Sequence, residues 1–426
     1  MKILMVDRYL YPFGGAETYM LAIAEYMKKQ GHFVEFFGMQ HSGNIVGNSV
    51  GQYTRYMDFH SNSLSRLIYP FTIIYSTEAR RKLRKIIEAY QPDVIHLHGY
   101  NFQLTPSIIY EIKRHHVPLI ATIHDPQIAC PCHRLYIEHK GTPCTKCITG
   151  KYYHCIKNRC TFGSLAKSIL STIESYLYHM LKTYEKIDRF ILPSQFMYNI
   201  LKTNGIPVEK MTILQNFSRM DRTIKPAVRT GEKFVLYFGR LSKEKGIETL
   251  AMVCKELPEV RFKIAGTGPF VEAFNGLGNV EMQGFIIGEA LNRLISEAAF
   301  SVYPSEWPEN CPMSVLESQI LGTPVIGANI GGIPELIENG KSGILFESGN
   351  KDDLKKAITK LYFDDVNQRK MQTFCRNSTK LQDTSEYCNS LFKIYFSLIT
   401  KENNDLEEIF KAGGDKNVGN RFNTNI

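Results

Sequence analysis

The chain has 426 residues, 43% of them apolar and 22% charged, with 31 glycines and 18 prolines. That is enough for two or three packed domains and too apolar for a disordered or fibrous chain. The formal net charge of +9 divides into +13 over residues 1–230 and −4 over the remainder, which reads as two domains with different partners. No apolar stretch reaches the ~18 residues of a membrane span, and the N-terminus meets Asp7 too soon for a signal peptide. An integral membrane protein and a secreted disulfide scaffold are therefore excluded, and the ten cysteines are expected to be reduced in a cytoplasmic chain.

In chain order, a strand is predicted over Ile3–Val6, followed by the loop Pro12-Phe13-Gly14-Gly15 and an amphipathic helix from about Glu17 to Gln30. Further strands are predicted over Phe33–Phe37, Asp93–His98, Leu119–His124 and Phe190–Pro193, with helices such as Glu78–Ala89 between them. The pattern restarts after Lys225-Pro226, with strands over Phe234–Gly239, Arg261–Gly266, Val280–Gln283, Phe300–Tyr303, Pro324–Gly327 and Gly343–Phe346. Short apolar strands alternating with helices indicate two doubly wound α/β domains in tandem. The predicted boundaries are 1–216 for the first domain, 217–231 for a linker, 232–384 for the second domain, 385–402 for a closing helix and 403–426 for a polar flexible tail. Ligands of such domains bind at the carboxyl ends of the strands, here in a cleft between the two.

The most informative stretch runs from Pro304 through Glu309 and Pro312 to Glu317. A strand end passes into a loop, and Pro312 suits the first turn of a helix whose free N–H groups can hold a phosphate. Glu309 precedes that helix and Glu317 lies about two turns inside it, so one carboxylate can reach a sugar and the other ribose hydroxyls. Upstream, Gly239 ends a strand, and Arg240 and Lys245 flank the turn into the next helix, where two cations could clamp a diphosphate. Taken singly, each of these features would pass for a solvated surface.

The order of Gly14-Gly15-Ala16-Glu17, His124-Asp125, Gly239-Arg240, Lys245-Gly246, Gly266-Thr267-Gly268-Pro269 and Glu309 with Glu317 resembles the retaining glycosyltransferases of family 4, over roughly residues 1–400. The resemblance implies the GT-B fold, a final helix crossing back to the first domain, a donor in the second domain and an acceptor in the first. It further implies that Arg240 and Lys245 neutralise the leaving diphosphate, that Glu317 holds the ribose and that Glu309 contacts the donor sugar. His124 would stand near the sugar or the reacting centre, and Gly15 would let backbone approach the donor phosphate or the acceptor. The loop Gly284-Phe285-Ile286 would meet the nucleobase. One departure is Asn310-Cys311-Pro312, where many members have Gly-Phe-Gly.

A nucleotide diphosphate sugar is thus the expected donor substrate. With no Asp-x-Asp anywhere in the chain, no catalytic metal or other cofactor is expected. Breaking the sugar–diphosphate bond passes through an oxocarbenium-like state, and fixed cations aimed at the leaving group serve it. His124 at a strand end reads either as site or as hydrogen-bonded structure, and His96 and His98, alternating on one strand, as structural or acceptor-lining.

Cys130, Cys132, Cys144, Cys147, Cys155 and Cys160 crowd a segment near 130–160, which would insert as a lid over the acceptor side. Cys144-x2-Cys147 has zinc-like spacing, so a structural zinc and a reduced loop both stay open. Leu67–Ile74 and the run Arg80-Arg81-Lys82-Leu83-Arg84-Lys85 offer a face for an anionic membrane surface, the alternative being a solvated helix. No nucleic-acid module is present.

The expected function is transfer of a sugar to a glycan acceptor, by resemblance a lipid-linked oligosaccharide of bacterial surface polysaccharide biosynthesis, by an enzyme peripheral on the inner face of the membrane. The rival is a turnover-dead GT-B scaffold that binds a nucleotide sugar or zinc.

Overall fold

The computed structural model describes residues 1–57, 69–218, 231–378 and 382–413, with side chains of the second segment from residue 72 and of the last to residue 401. Most of the expected linker (219–230) and the tail from 414 lie outside the described residues. In chain order the strands are β1 (Lys2–Val6), β2 (Phe33–Phe37), β3 (Val94–Leu97), β4 (Leu119–Thr122), β5 (Tyr136–Ile137), β6 (Thr142–Pro143), β7 (Arg189–Leu192), β8 (Met211–Ile213), β9 (Val235–Phe238), β10 (Phe262–Ala265), β11 (Val280–Gly284), β12 (Phe300–Tyr303), β13 (Val325–Ala328) and β14 (Gly343–Phe346).

Two six-stranded sheets form, in the orders β2-β1-β3-β4-β7-β8 and β11-β10-β9-β12-β13-β14, every neighbouring pair parallel. The α/β reading and the GT-B arrangement therefore hold. Strands such as Val-Ile-His-Leu of β3 and Val-Leu-Tyr-Phe of β9 are buried at every position, as parallel strands covered by helices on both faces must be. β8 is a three-residue edge strand, too short to show a pattern in the sequence.

Chain order reverses between β1 and β3 in the first sheet and between β9 and β12 in the second. Crevices open at such switch points, beyond the carboxyl ends of the strands. The loops that matter are thereby fixed: those after β1, β3 and β4 in one half, and those after β9 and β12 in the other.

The last helix begins at Thr384 and runs to Gly413, eleven residues past its expected end at 402. Its Tyr387, Cys388, Leu391, Tyr395 and Leu398 pack with Ile3, Met5, Tyr19 and Ile23 of the first half, so it crosses back as the resemblance implied.

The helix Leu165–Met180 is inverted. It buries Ser168, Ser171, Thr172, Glu174, Ser175 and Tyr178, and exposes Leu165, Ile169, Ile173, Tyr176 and Met180. Burial raises the Glu174 carboxyl from 4.5 to about 8. The folded chain thus keeps a proton that the unfolded chain has released, and stability falls as pH rises from about 4.5 to about 8. Glu174→Gln is expected to raise Tm by several degrees at pH 8.5 and to leave it almost unchanged at pH 5. Equal shifts at both pH values would show that the carboxyl does not titrate this way.

Candidate active site

The loops at the two switch points enclose a cavity of about 500 Å³ lined by Gly15, His124, Arg240, Lys245, Glu309 and Glu317, so six of the seven expected residues meet in one place. Ile286 is not among its lining residues. It packs against the buried cluster that holds Phe234, Leu236, Phe238 and Leu294, with Phe285 and Ile287 exposed.

The second half supplies a sheltered ion pair. Lys245 Nζ donates to Glu309 Oε1, and its side chain is 17% exposed against 10% for the glutamate. The Tyr303 hydroxyl stands 3.1 Å from both partners, and the Ser305 hydroxyl donates to the same carboxylate oxygen at 3.3 Å. Lys245 also lies over the Trp307 ring at 5.5 Å. Arg240, more exposed, reaches Glu244 Oε1 at 2.7 Å.

Two glycines permit this convergence. At Gly246 (φ +71°) a Cβ would stand 1.9 Å from the Pro304 carbonyl, and at Gly331 (φ +61°) 2.3 Å from the Glu309 carbonyl. The backbone therefore approaches the glutamate loop more closely than any side chain would allow. The helix Met313–Ile320 starts after Pro312 with no side-chain cap, and its first residues, Met313 and Ser314, face the cavity with their unpaired N–H groups.

The first half supplies a second helix terminus, where the Glu17 carboxylate takes the backbone N–H groups of Gly14 and Glu17. The helix Gly15–Lys29 follows Gly14, which has no side chain to cap it, and a Cβ on Gly15 would meet nothing. What the missing side chain leaves there is room for a ligand. His124 lies just beyond the end of β4, two residues past its last strand position. Its Nε2 is 3.2 Å from His98 Nδ1, while His96 is held between Thr122 Oγ1 (2.7 Å) and Tyr395 Oη (2.6 Å) of the last helix. Burial, reinforced by the Arg8 cation, pushes His124 down to about 3. The ring facing the cavity is neutral, able to hydrogen-bond a sugar hydroxyl but not to protonate a leaving group at neutral pH. His96 and His98 are the support behind it, which is the structural reading of that strand.

Three groups went unread in the sequence as site components. Arg8, directly after β1, lies in the field of Asp7, Asp125 and Glu17, and burial raises all three carboxyls. Its place at a strand's carboxyl end was the available signal. Trp307 lines the cavity opposite Gly15. Asn310, the family departure, locks the halves together: its amide donates to the Ile123 and His124 carbonyls (2.8 and 3.1 Å) and accepts from the Ser194 hydroxyl (2.6 Å). Beside it, Glu335 accepts from the N–H groups of Gln195 and Phe196 at 2.7 and 2.6 Å, capping a first-half helix from the second half.

A second cavity of about 510 Å³ adjoins the first, sharing Phe13, Asp125, His133, Arg134, Arg240 and Trp307 with it. Tyr9, Phe102 and Phe162 add aromatic faces, and Cys132 and Cys160 of the cysteine-rich segment line it, so that segment does cover this side. Its cysteines are free and packed together with Ile137 and Tyr152. Cys130 and Cys132 Sγ are 3.5 Å apart, and neighbouring thiols and burial push Cys132 and Cys160 up to about 12. Among the described residues no group of three or more His, Cys, Asp or Glu is placed to hold a metal ion.

The basic run on the helix Thr77–Tyr90 is partly engaged within the protein, with Arg81 and Lys85 exposed. Arg80 and Arg84 converge on buried Glu111 at 2.9 and 2.6 Å, and Lys82 pairs with Glu78 at 2.8 Å. Three of the five cations of the run are thus paired within the protein. The side chains of Leu67–Phe71, the other part of that expected membrane face, lie outside the described residues.

Comparison with known proteins agrees with the fold. Residues 13–222 match the family model of Glycosyltransferase Family 4 and residues 221–380 that of Glycosyl transferases group 1. The chain is 25% identical over 380 residues to an uncharacterized glycosyltransferase, MJ1607, of Methanocaldococcus jannaschii, covering 85% of this chain and 90% of that one. It is 28% identical over 204 residues to the putative colanic acid biosynthesis glycosyltransferase WcaL of Salmonella typhimurium, 43% of this chain and 50% of that one. In fold it is similar to Anabaena Alr3699/HepE in complex with UDP and glucose, with a TM-score of 0.66 and 17% identity over 93% of this chain and all of that one.

Proposed function

The chain belongs to the family 4 glycosyltransferases, GT-B enzymes of the hexosyltransferase type, and on that premise we propose that it moves a hexose from a uridine diphosphate sugar, with retention, onto a lipid-linked glycan acceptor in surface polysaccharide assembly. The single observation that carries this reading is the convergence of Arg240, Lys245 and the uncapped Met313 helix terminus on the cavity that also holds Glu309 and Glu317.

In the proposed reaction the bond from the anomeric carbon to the diphosphate breaks and its electron pair passes to the phosphate oxygens. Arg240, Lys245 and the free N–H groups of the helix take up that charge, so transition-state stabilisation is built into fixed groups. Glu317 receives the ribose, Glu309 the donor sugar, and neutral His124 a sugar hydroxyl. Because Glu309 is already tied to Lys245, Tyr303 and Ser305, it holds and orients and is not assigned as a nucleophile. The acceptor enters through the aromatic second cavity, its hydroxyl supplying the oxygen of the new bond and passing its proton to an oxygen of the departing diphosphate. The UDP and glucose in the HepE complex support the choice of base, and the WcaL likeness supports the class of acceptor.

The test is binding and slow hydrolysis of UDP-, GDP- and ADP-sugars, with Arg240→Ala and Glu317→Ala alongside. One UDP-sugar is expected to bind and turn over, and both variants to lose it. A chain that binds no nucleotide sugar would sink the assignment.

A further inference from the structure

The helix Leu165–Met180 carries its polar side inward and its apolar side outward. The buried hydroxyls are satisfied locally: Ser171 donates to the Lys167 carbonyl (3.0 Å), Thr172 to that of Ser168 (2.7 Å) and Ser175 to that of Ser171 (2.9 Å). The inward face is therefore lined largely by small residues whose hydroxyls are satisfied, with the buried Glu174 carboxyl among them. Outward, Leu165, Ile169, Ile173, Tyr176 and Met180 stand at helical spacing, Met180 at 76% exposure. Isolated exposed apolar residues are ordinary, but a full stripe along four turns is not.

The stripe continues onto its neighbours. The Tyr153 N–H bonds the Tyr176 hydroxyl (3.3 Å), Lys157 lies over the Tyr153 ring at 5.1 Å, and Lys167 lies over exposed Phe162 at 4.8 Å. Between residues 139 and 184 there are seven lysines and arginines, all exposed, against one acid, Glu174, which is buried inside. Exposed acids stand only at the two ends of this stretch, Glu138 beside Arg134 (3.2 Å) and Glu185 beside Lys182 (3.8 Å). An apolar band edged by an excess of cations matches the boundary between anionic headgroups and acyl chains, where apolar side chains sink in and lysines reach back to phosphate. Phe162 belongs to both places, since it also lines the second cavity.

We propose that the exposed face of the Leu165–Met180 helix, with Tyr153, Lys157, Phe162 and Lys167, is the surface by which this protein lies on an anionic membrane. It sets the mouth of the second cavity at headgroup level. The inference rests on the reading above only for the lipid-linked acceptor. Vesicle binding and donor turnover are separate readouts, and either can fail alone.

The test is flotation of the full chain with phosphatidylcholine vesicles with and without phosphatidylglycerol. The wild type is expected to float with the phosphatidylglycerol vesicles and to be released by salt. Ile169→Ser/Ile173→Ser and Lys157→Glu/Lys167→Glu are each expected to lower the bound fraction tenfold or more. Tm and donor hydrolysis in solution should stay unchanged in both, since these side chains are exposed and remote from the donor cavity. Three outcomes would overturn the proposal: no wild-type binding to either vesicle, unaltered binding by the isoleucine variant, or a concentration-dependent dimer in vesicle-free buffer that the isoleucine variant abolishes. The last would assign the face to a second copy of the chain.

Discussion

Lys245→Ala is expected to lower donor turnover by roughly a hundred- to a thousandfold, the usual loss when one preorganised stabiliser of developing charge is removed. The lysine sits at 17% exposure between Glu309, the Tyr303 hydroxyl and the Trp307 ring, where low water content strengthens its field. The same variant leaves the Glu309 carboxylate sheltered without its cation, so Tm should fall as well. Lys245→Ala combined with Glu309→Gln separates the two effects. The double variant is expected to recover most of the lost Tm and none of the lost turnover, because the strain of an unpaired charge is relieved while the leaving group still lacks its counter-charge. Turnover recovering together with Tm would show that Lys245 only holds the loop. Titration of the donor by calorimetry then tells whether the lysine acts on bound substrate or on the transition state, through the split between affinity and kcat.

Asn310→Ala is expected to reduce kcat by about ten- to a hundredfold with little change in the affinity for UDP. One side chain makes three hydrogen bonds across the seam, to Ile123, His124 and Ser194, each worth about 1 kcal/mol net. Two of the three fall on the backbone that carries His124. Losing them lets the first half drift relative to the donor half, and small misplacements of reacting groups are costly. UDP contacts would come from the second half alone, so affinity should be spared. A matching loss in UDP affinity would mean that Asn310 supports the donor loop and not the seam. Asn310→Asp is a useful companion, since it keeps the Ser194 bond and loses both amide donations.

The positive first half holds its cations in two different settings. Its charge is not spread as a general attraction: Arg80 and Arg84 are engaged by Glu111, whereas Lys157 and Lys167 sit beside an exposed apolar stripe. A charge run in a sequence says nothing about whether a buried carboxylate lies thirty residues away, and here one does. The exposed cations of the cysteine-rich segment are more scattered in sequence and easier to overlook.

Much of this protein was determined by its sequence alone. Continuous apolar runs at β1, β3, β4 and β9 can only be strands covered on both faces, and their alternation with amphipathic helices leaves a doubly wound parallel architecture as the one consistent answer. Gly15, His124, Arg240, Lys245 and Glu309 were legible because each sits in a loop after a strand or at a helix start, and Glu317 because it lies one turn into the helix that follows, positions that face a cleft in any such fold. What only the tertiary structure decided are the long-range pairings. Tyr387 and Tyr395 reach Tyr19 and His96 from a helix nearly three hundred residues beyond β3. Asn310 and Glu335 clasp the first half from the second, Ile286 packs against the cluster under β9 and does not line the cavity, and the Leu165–Met180 helix shows its apolar side to solvent. Local pattern fixes which residues can share a face, but which way a face turns, and which charge meets which, depends on partners brought close only when distant segments pack.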